Sequence, residues 1–290
     1  MYDPAQLSAL EAVLRLGAFE AAAAELNVTP SAISQRIRAL EDRVGAPLVL
    51  RQTPASATET GARLARHARE CALLDAALAR DLGRAAQARL RIALNADSLD
   101  TWAIPALART DFLYDITIED ESVSDRRLRD GDVTAAITSR AQPVQGCDAV
   151  PLGVMRYIAT CSPAFRDRHF ADGLTEDALT TAPMLDYSGK DVLQRRWLAD
   201  LNGRPLSPPT HHLPSTHGFV EAARCGLGWG LNPLPLVADL LESGDLVAMA
   251  PDRPRDVPLY WQVRSITAPA IRPLTRALRR AAGEALLPMP

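Results

Sequence analysis

Near the start of the chain, five polar side chains of the types that read DNA lie within eight residues: Ser31, Ser34, Gln35, Arg36 and Arg38. Ser, Gln and Arg form hydrogen bonds with base edges and phosphate oxygens. Around them, Ile33, Ile37, Leu40 and Val44 recur at spacings of four, three and four residues. That spacing predicts one buried face of a helix over residues 31–44. The polar side chains then lie on the exposed part of a helix that can enter a DNA groove.

The segment before this helix predicts the first half of a helix-turn-helix. Residues 21–24 are all alanine, which is small enough to let two helices cross closely, and Leu26 supplies an apolar anchor before the turn. Thr29 is a good N-cap, and Pro30 suits the first helical position, where its missing N–H costs nothing. The alternative is an ordinary helical hairpin with a polar outer face. The lack of Lys/Glu pairs on that face favours DNA binding.

A helix over residues 2–14 and a strand over 47–51 are predicted to complete an N-terminal, all-α winged helix-turn-helix. The wing turn spans 52–57, and its tip at 53–56 carries no basic side chain. Arg51, which lies just before this turn, is therefore the main candidate in the wing for a contact with DNA.

The charge distribution indicates a localised DNA-binding face rather than a generally cationic protein. The 290 residues carry a net charge of −3, and residues 1–58 contain five Arg against six acidic groups. The positive charge is concentrated on or just after the predicted recognition helix, at Arg36, Arg38, Arg43 and Arg51. Because one copy neutralises few phosphates, we expect DNA affinity to require dimerisation.

Thr58 is predicted to cap a long helix over residues 59–82. Its apolar positions follow a roughly heptad course: Leu64, Ala68, Cys71, Leu74 or Asp75, Leu78 and Leu82. A heptad repeat of this kind predicts the seam of a helix dimer. The alternative is a single amphipathic helix packed on its own domain. The segment 83–88 is suited to join this helix to a following domain. This favours a linker helix over a helix packed on its own domain.

From residue 89 onward, strands and helices alternate, which predicts a parallel sheet. The predicted fold class is α/β, with an N-terminal winged helix-turn-helix, a long linker helix and a two-lobed α/β effector domain of the type 2 periplasmic-binding-protein arrangement. The predicted domains are 1–58 for DNA binding, 59–88 for the linker and dimerisation helix, and 89–290 for effector binding. Within the effector domain, lobe 1 covers about 89–161 and 266–290, and lobe 2 about 162–265.

In a two-lobed α/β domain, small molecules bind between the lobes, at strand carboxyl ends and helix N-termini. Three segments meet that description: 95–98, 138–140 and 215–219. The candidate effector-binding residues are Asp97, Ser98, Glu121, Thr138, Ser139, Thr216 and His217. Free N–H groups at helix N-termini suit a carboxylate. Plain helix capping by Asp97, ordinary turn residues at 138–140 and a structural role for His217 stay open as alternatives.

Any cationic group on a bound small molecule would need acidic partners, and those available are Asp97, Glu119, Asp120, Glu121 and Asp186. Glu119 and Asp120 point to opposite faces if both lie on one strand, so not all of these acids can line one pocket. We favour Glu121 slightly, because it lies at the carboxyl end of the predicted strand.

Other functional classes receive little support from the sequence. His211 and His212 alternate across a predicted strand, which opposes shared metal ligation, and the four cysteines show no zinc-site spacing. We therefore expect buried thiols, no metal and no cofactor. There is no GxSxG elbow, no GxGxxG fingerprint after a strand and no P-loop, so we do not expect an enzyme. The lack of a signal peptide and of a membrane-spanning apolar run predicts a cytoplasmic protein without membrane contact.

Several segments resemble the LysR-type transcriptional regulators, and the resemblance spans nearly the whole chain. The N-terminal segments are LNVTPSAISQRIRALEDRVGAPLVLR and RQTPASATETGARLARHA. The segments that are similar to the ArgP/LysG branch of this family are NADSLDTW, SRAQPVQGC, LQRRWL and HGFVEAARCGLGWGLNP. The helix-turn-helix is specific to the superfamily, and the first two of the later segments suggest the branch.

The resemblance implies a sequence-specific transcriptional activator that is switched by lysine or arginine and controls a basic amino acid exporter gene. It also implies a wing that touches the minor groove, homodimers paired through their linker helices, and a homotetramer on double-stranded DNA. Contact with RNA polymerase is a further expectation. The alternatives are a LysR-type regulator of an unrelated small metabolite and a DNA-binding protein with a degenerate sensor domain.

Overall fold

A computed structural model of the chain describes residues 2–119 and 124–289. Its N-terminal part contains α1 (Pro4–Leu16), α2 (Phe19–Glu25), α3 (Pro30–Val44), β1 (Val49–Leu50), β2 (Ser56–Ala57) and the long helix α4 (Glu59–Asp81). Helices α1–α3 enclose an apolar core, in which Leu10, Ile33, Ile37 and Leu40 are fully buried. The predicted apolar face of α3 is therefore the face that packs.

Local hydrogen bonds set the ends of these helices. The Asp3 carboxylate accepts from the Ala5 N–H at 2.8 Å, so α1 begins at Pro4 and not at residue 2. The Thr29 hydroxyl accepts from the Ala32 N–H at 3.2 Å and starts α3 in the same way. Gly45 ends α3 in the left-handed conformation, which glycine adopts without steric cost.

The wing is a two-stranded antiparallel ribbon, shorter than the predicted strand over 47–51, that is tied to the start of α4. The Thr58 hydroxyl donates to the Pro47 carbonyl at 2.8 Å and accepts from the Gly61 N–H at 3.0 Å. A Cβ on Gly61 would lie only 1.9 Å from the Leu48 carbonyl oxygen, so glycine is required for this close approach. Wing and linker helix therefore form one rigid corner.

The effector domain alternates strands with helices. Its first half contains β3 (Ala88–Leu94), α5 (Ala96–Ser98), a π-helical turn (Leu99–Ala103), α6 (Ile104–Leu107), β4 (Phe112–Ile118), α7 (Ser124–Asp130), β5 (Ala135–Thr138), β6 (Cys147–Cys161) and α8 (Pro163–His169). Its second half contains α9 (Glu176–Thr181), β7 (Met184–Asp186), α10 (Leu193–Asn202), β8 (Thr210–His212), α11 (Thr216–Arg224), β9 (Gly230–Pro233), α12 (Leu234–Ser243), β10 (Val247–Ala248), β11 (Arg255–Arg264) and α13 (Arg272–Ala285).

One mixed sheet runs through both lobes in the order β10-β6-β11-β5-β3-β4, with β9 paired to β6. As predicted, β4, β3 and β5 are parallel. The antiparallel strands β6 and β11 cross between the lobes: β11 pairs with β5 over residues 260–263, whereas the carboxyl end of β6 pairs with β9 and β10. The predicted lobe division, which assigns β6 to lobe 1 and β11 to lobe 2, stays a prediction.

Helix α4 joins the two cores. Ala65 and Ala68 pack in the core of the N-terminal helices, whereas Leu73 and Ala76 pack in the main core of the effector domain. On another side of α4, the predicted seam residues Leu74, Leu78 and Leu82 expose 38%, 59% and 64% of their surface. These three leucines form an apolar stripe that α4 does not bury against its own chain.

The helix after β3 differs from its predicted bounds. It begins at Ala96 rather than near Leu99, and it widens into a π-turn just before Pro105, which has no N–H to donate.

Cys147 and Cys161 are buried, but Cys225 is exposed, so the prediction of buried thiols is wrong there. Within 2–119 and 124–289, no helix is long and apolar enough to cross a membrane.

Candidate functional site: a recognition helix and an interlobe cleft

The outer face of α3 presents the predicted DNA-reading side chains. Ser31, Gln35 and Arg38 are exposed at spacings of four and three residues, which places them on one face of the helix. Ser34 and Arg36 flank this face and are half-buried. The polar face therefore lies opposite the buried isoleucines. Whether these residues contact bases stays a prediction.

Glu41 fixes the wing relative to α3. Its Oε1 accepts hydrogen bonds from the Leu48 N–H at 2.8 Å and the Val49 N–H at 3.4 Å. Beside the wing, Arg51 is exposed, and its guanidinium carbon lies 5.4 Å from the centroid of the Phe19 ring. This cation–π contact orients a cationic group next to the recognition helix.

A cleft of about 480 Å³ opens between the two lobes, which is large enough for a small molecule. Its charged lining residues come from both lobes: Asp97, Glu119, Lys190, Asp191, Arg196, Arg255 and Asp256. Two of the acids already have cationic partners, since Glu119 bonds to Arg127 and Asp256 bonds to Arg156.

Asp97 is the acid whose ionisation the cleft perturbs most clearly. Its Oδ2 accepts a hydrogen bond from the Tyr157 hydroxyl at 2.7 Å. Burial raises the pKa of Asp97 to about 6, and the hydrogen bond from Tyr157 only partly offsets this rise. The nearby Asp191 and Asp100 raise the pKa of Asp97 further. A cation beside Asp97 would relieve both the burial and the repulsion.

Asp191 has a different structural role, because it organises the start of α10. Its two carboxylate oxygens accept from the Leu193 N–H at 2.9 Å and the Tyr187 N–H at 3.3 Å. This holds Tyr187 at the cleft wall, where burial and the charge of Asp97 raise the pKa of the phenol. Asp191 therefore contributes negative charge from a fixed position.

Two buried amides at the cleft have unused hydrogen-bonding capacity. Asn95 is only 5% exposed, and neither its amide nitrogen nor its amide oxygen has a partner among the described residues. The Asn232 nitrogen donates to the Thr160 hydroxyl at 2.8 Å, but within the described ranges its oxygen is unpaired. Buried polar groups are rarely left unsatisfied, so both amides indicate a polar ligand or ordered water in the cleft.

The structure brings some predicted effector residues together and separates others. Asp97, Ser139 and Thr216 line the cleft. Ser98 is fully buried and is not part of the lining, and Thr138 accepts from the Gln262 amide at 3.1 Å within the sheet. His217 is exposed outside the cleft lining. The ligand-binding role of all these residues stays a prediction.

Of the other candidate acids, the structure describes Glu119 and Asp186. Glu119, at the end of β4, lines the cleft, whereas Glu121 and Asp120 lie outside the described residues. Asp186 is fully buried and forms an ion pair with Arg195 at 3.1 Å. Burial and the nearby Asp191 raise the pKa of Asp186 to about 6.

Sequence reasoning missed several residues of the cleft, among them Tyr157, Tyr187, Asp191, Asn232 and Asp256. Tyr157 lies in an apolar strand, where it looks like a core residue, and only its hydroxyl reaches Asp97. Asp191 follows a Ser-Gly-Lys turn and looks like an ordinary cap. Asn232 carries the one detectable signal, since it is a polar residue inside the short buried strand β9.

Comparison with known proteins agrees with this geometry. Residues 4–62 match the lysR family of bacterial regulatory helix-turn-helix proteins, and residues 83–283 match the LysR substrate binding domain. The chain is 44% identical over 284 residues to the HTH-type transcriptional regulator LysG of Mycobacterium tuberculosis, which covers 97% of this chain and 93% of the relative.

Two solved structures extend the similarity to the whole fold. ArgP from Mycobacterium tuberculosis superposes with a TM-score of 0.85 at 42% identity and covers 100% of both chains. Full-length LysG from Corynebacterium glutamicum with bound effector arginine has a TM-score of 0.72 at 39% identity, covering 99% of this chain and 100% of that one. The predicted family and branch are thereby confirmed. This chain belongs to the LysR family of bacterial transcriptional regulators.

Proposed function

We propose that the interlobe cleft binds a basic amino acid, L-arginine or L-lysine, and that this binding switches the regulator on its DNA. The observation that carries the proposal is Asp97, an acid with a raised pKa that lies in a cleft with three other acidic residues. A relative of 39% identity binds arginine as its effector. With a pKa of about 6, Asp97 is mostly ionised at neutral pH, so its carboxylate attracts a cation in the cleft.

The cleft offers complementary groups for both ends of such a molecule. Thr216 lies in the first turn of α11, where free N–H groups favour a carboxylate, and Lys190 and Arg196 add positive charge at the lining. Asp97 and Glu119 are available for the α-ammonium and the side-chain cation. A basic amino acid matches this alternation of charge better than a neutral one does.

On DNA, we propose that two copies pair through the apolar stripe of α4 and place their α3 helices in successive major grooves. The recognition residues would be Ser31, Ser34, Gln35, Arg36 and Arg38, with Arg51 in the wing. Two such dimers would form a tetramer. Activation of a basic amino acid exporter gene, through contact with RNA polymerase, is the target that we propose from the family branch.

Isothermal titration of the full chain with L-arginine, L-lysine, L-citrulline and L-leucine tests the effector. Citrulline has nearly the shape of arginine but carries no side-chain charge, so it isolates the contribution of the cation. We expect saturable binding of arginine or lysine, at least tenfold weaker binding of citrulline, and none of leucine. Equal affinity for arginine and citrulline would contradict the acidic subsite.

A matched pair of variants locates the site. Asp97→Asn removes the carboxylate from the cleft, whereas Asp239→Asn makes the same change at an exposed position on α12. We expect Asp97→Asn to weaken arginine binding at least tenfold and Asp239→Asn to leave it unchanged. If both variants bind as the parent does, the effector occupies another site.

A further inference from the structure

Glu119 lines the effector cleft, and its carboxylate is already hydrogen-bonded to Arg127, which is not part of the cleft lining. Arg127 on α7 donates to Glu119 Oε1 from both Nε, at 2.8 Å, and Nη2, at 2.5 Å. The pKa of Arg127 is raised, and its hydrogen bonding to Glu119 is the largest cause. A carboxylate in the cleft wall is thus already engaged by a guanidinium, the same group that arginine would bring.

The C-terminal end of α7 is tied to the loop that follows it. The Asp132 N–H donates to the Arg127 carbonyl at 2.9 Å, and Arg127 Nη1 lies 3.4 Å from Asp132 Oδ2. The Gly131 N–H donates to the Leu128 carbonyl at 3.1 Å. These contacts tie residues 131 and 132 to the end of α7, so a shift of α7 would also move this segment.

The segment 130–132 in turn contacts the linker helix α4. Arg69 Nη2 donates to the Gly131 carbonyl at 3.1 Å, and Arg66 Nη1 donates to the Asp130 carbonyl at 3.4 Å. The packing is close, since a Cβ on Gly131 would lie 2.3 Å from Arg66 Cδ. Gly131 has a φ of +75°, which also favours glycine.

Arg69 lies where all three parts of the molecule meet. Burial is the largest cause of its lowered pKa, and Glu11 on α1, Glu70 on α4 and Asp132 each act against that lowering. One residue along, Glu70 pairs with Arg264 of β11 at 2.7 Å. The charge at Arg69 is therefore balanced by groups from the DNA-binding helices, the linker helix and the effector domain together.

We propose that Arg127 is an internal competitor for the side-chain cation of the effector at Glu119, and that its displacement is transmitted through segment 130–132 to Arg66 and Arg69 on α4. This rests on the proposed function, because it requires a cationic effector in the cleft. Before binding, Arg127 satisfies Glu119 and holds α7 against the cleft. The effector's guanidinium or ammonium group replaces Arg127, and the freed α7 shifts its contacts with the linker helix.

The competition has a thermodynamic signature that a merely structural ion pair lacks. A competitor that must be displaced reduces the measured affinity, so its removal strengthens ligand binding. A residue that only supports the cleft would, when removed, weaken it. Arginine titration of Arg127→Gln therefore distinguishes the two roles by the sign of the change.

We expect Arg127→Gln to bind L-arginine at least about fivefold more tightly than the parent chain, measured by isothermal titration. The matched control is Arg126→Gln, which removes the same charge one residue earlier, from an exposed side chain 3.5 Å from Asp130. It should leave the affinity unchanged. Arg127→Lys, which keeps the charge but loses the two-pronged contact, should fall between the parent and Arg127→Gln.

Hydrogen exchange of the full chain, with and without L-arginine, tests the transmission. In the parent chain, arginine should change exchange in both 124–132 and α4. In Arg69→Gln the change should persist in 124–132 and be lost from α4. Arg127→Gln without ligand should already resemble the arginine-bound parent in both segments.

The outcomes separate this inference from the proposed function. If neither arginine nor lysine binds the parent chain, the proposed effector is wrong and the competition falls with it. If arginine binds the parent chain and Arg127→Gln binds it with unchanged or weaker affinity, the competition is wrong while the effector assignment stands. If α4 exchange is the same with and without saturating arginine, the transmission to the linker helix is wrong.

Discussion

The recognition helix α3 and the effector cleft differ in how their polar groups are satisfied. On α3, Ser31, Gln35 and Arg38 are exposed, so water satisfies their polar groups. In the cleft, Asn95 and Asn232 are buried and have amide atoms with no hydrogen-bond partner in the described part of the chain. The pKa of Asp97 is raised to about 6. The polar groups of α3 are therefore satisfied by solvent, whereas the buried polar groups of the cleft carry an electrostatic cost.

Substitutions in the two regions should therefore affect the stability of the fold differently. Removing a polar group from α3 should change DNA binding and leave the folded state nearly unaffected, because surface substitutions have small effects on stability. Removing a perturbed acid from the cleft should weaken ligand binding and stabilise the fold at the same time. Such a trade between function and stability is expected at binding sites.

The largest effect is expected at α4, which connects the two regions. Leu78→Glu places a charge in the exposed leucine stripe, so pairing of two linker helices should fail and operator affinity should fall by about 100-fold or more, because both half-sites are no longer bound together. Sedimentation equilibrium and titration with a duplex selected from random sequence would measure both changes. Ala72→Glu, exposed on the same helix away from the stripe, is the control. A dimeric Leu78→Glu variant would refute the seam.

The next largest effect tests the recognition helix alone. Arg38→Ala should weaken binding to the selected duplex by about 1–3 kcal/mol, since a base or phosphate contact is lost, while arginine affinity and thermal stability stay at the parent values. Arg224→Ala, on the exposed side of α11 far from α3 in the sequence, provides the matched control. Unchanged duplex binding in Arg38→Ala would mean that this face of α3 does not read DNA.

The two regions also differ in how far the sequence predicts them. The DNA-binding face lies within one helix, so the spacing of Ile33, Ile37 and Leu40 is enough to predict its orientation. The cleft gathers side chains from both lobes, and these come together only through the long strands β6 and β11. Asp97 and Thr216 are predictable because they follow a strand end and begin a helix.

Tyr157 and His217 show the physical limit of such reasoning. A tyrosine within a buried strand has an apolar environment in sequence, and nothing local indicates that its hydroxyl reaches Asp97, 60 residues earlier in the chain. His217 follows Thr216 by one residue, but consecutive helical side chains point about 100° apart. The correct helix start therefore predicts one cleft residue and one exposed residue without saying which is which.

The raised pKa of Asp97 means that its ionised form lowers the free energy of unfolding at neutral pH. The folded pKa of about 6 lies above the ordinary value of 3.8, so the folded protein binds this proton more tightly than the unfolded chain does. The stabilising contribution of the protonated acid is thus present at low pH and lost as the pH rises through about 6. Asp97→Asn should raise the free energy of unfolding at pH 7 by about 2 kcal/mol, with the gain shrinking toward pH 5.

Urea unfolding at pH 7 and pH 5 measures this change, and Asp239→Asn serves as the exposed control. The same ionisation predicts that arginine affinity of the parent chain falls as the pH drops through about 6, because the effector's cation needs the carboxylate. A variant that is destabilised equally at both pH values would mean that Asp97 supports the fold and stores no cost.

The smallest effect is expected at the wing. Arg51 is exposed and lies over Phe19, so it places one cation near the DNA without being fixed by an ion pair in the described part of the chain. Arg51→Ala should weaken duplex binding only about threefold at moderate salt and reduce the slope of log affinity against log salt by about 1. Arg51→Lys should restore the slope but not the orientation that the ring provides. Because the wing tip at 53–56 has no other basic side chain, a larger loss than this would show that Arg51 enters a groove and reads DNA shape as well as charge.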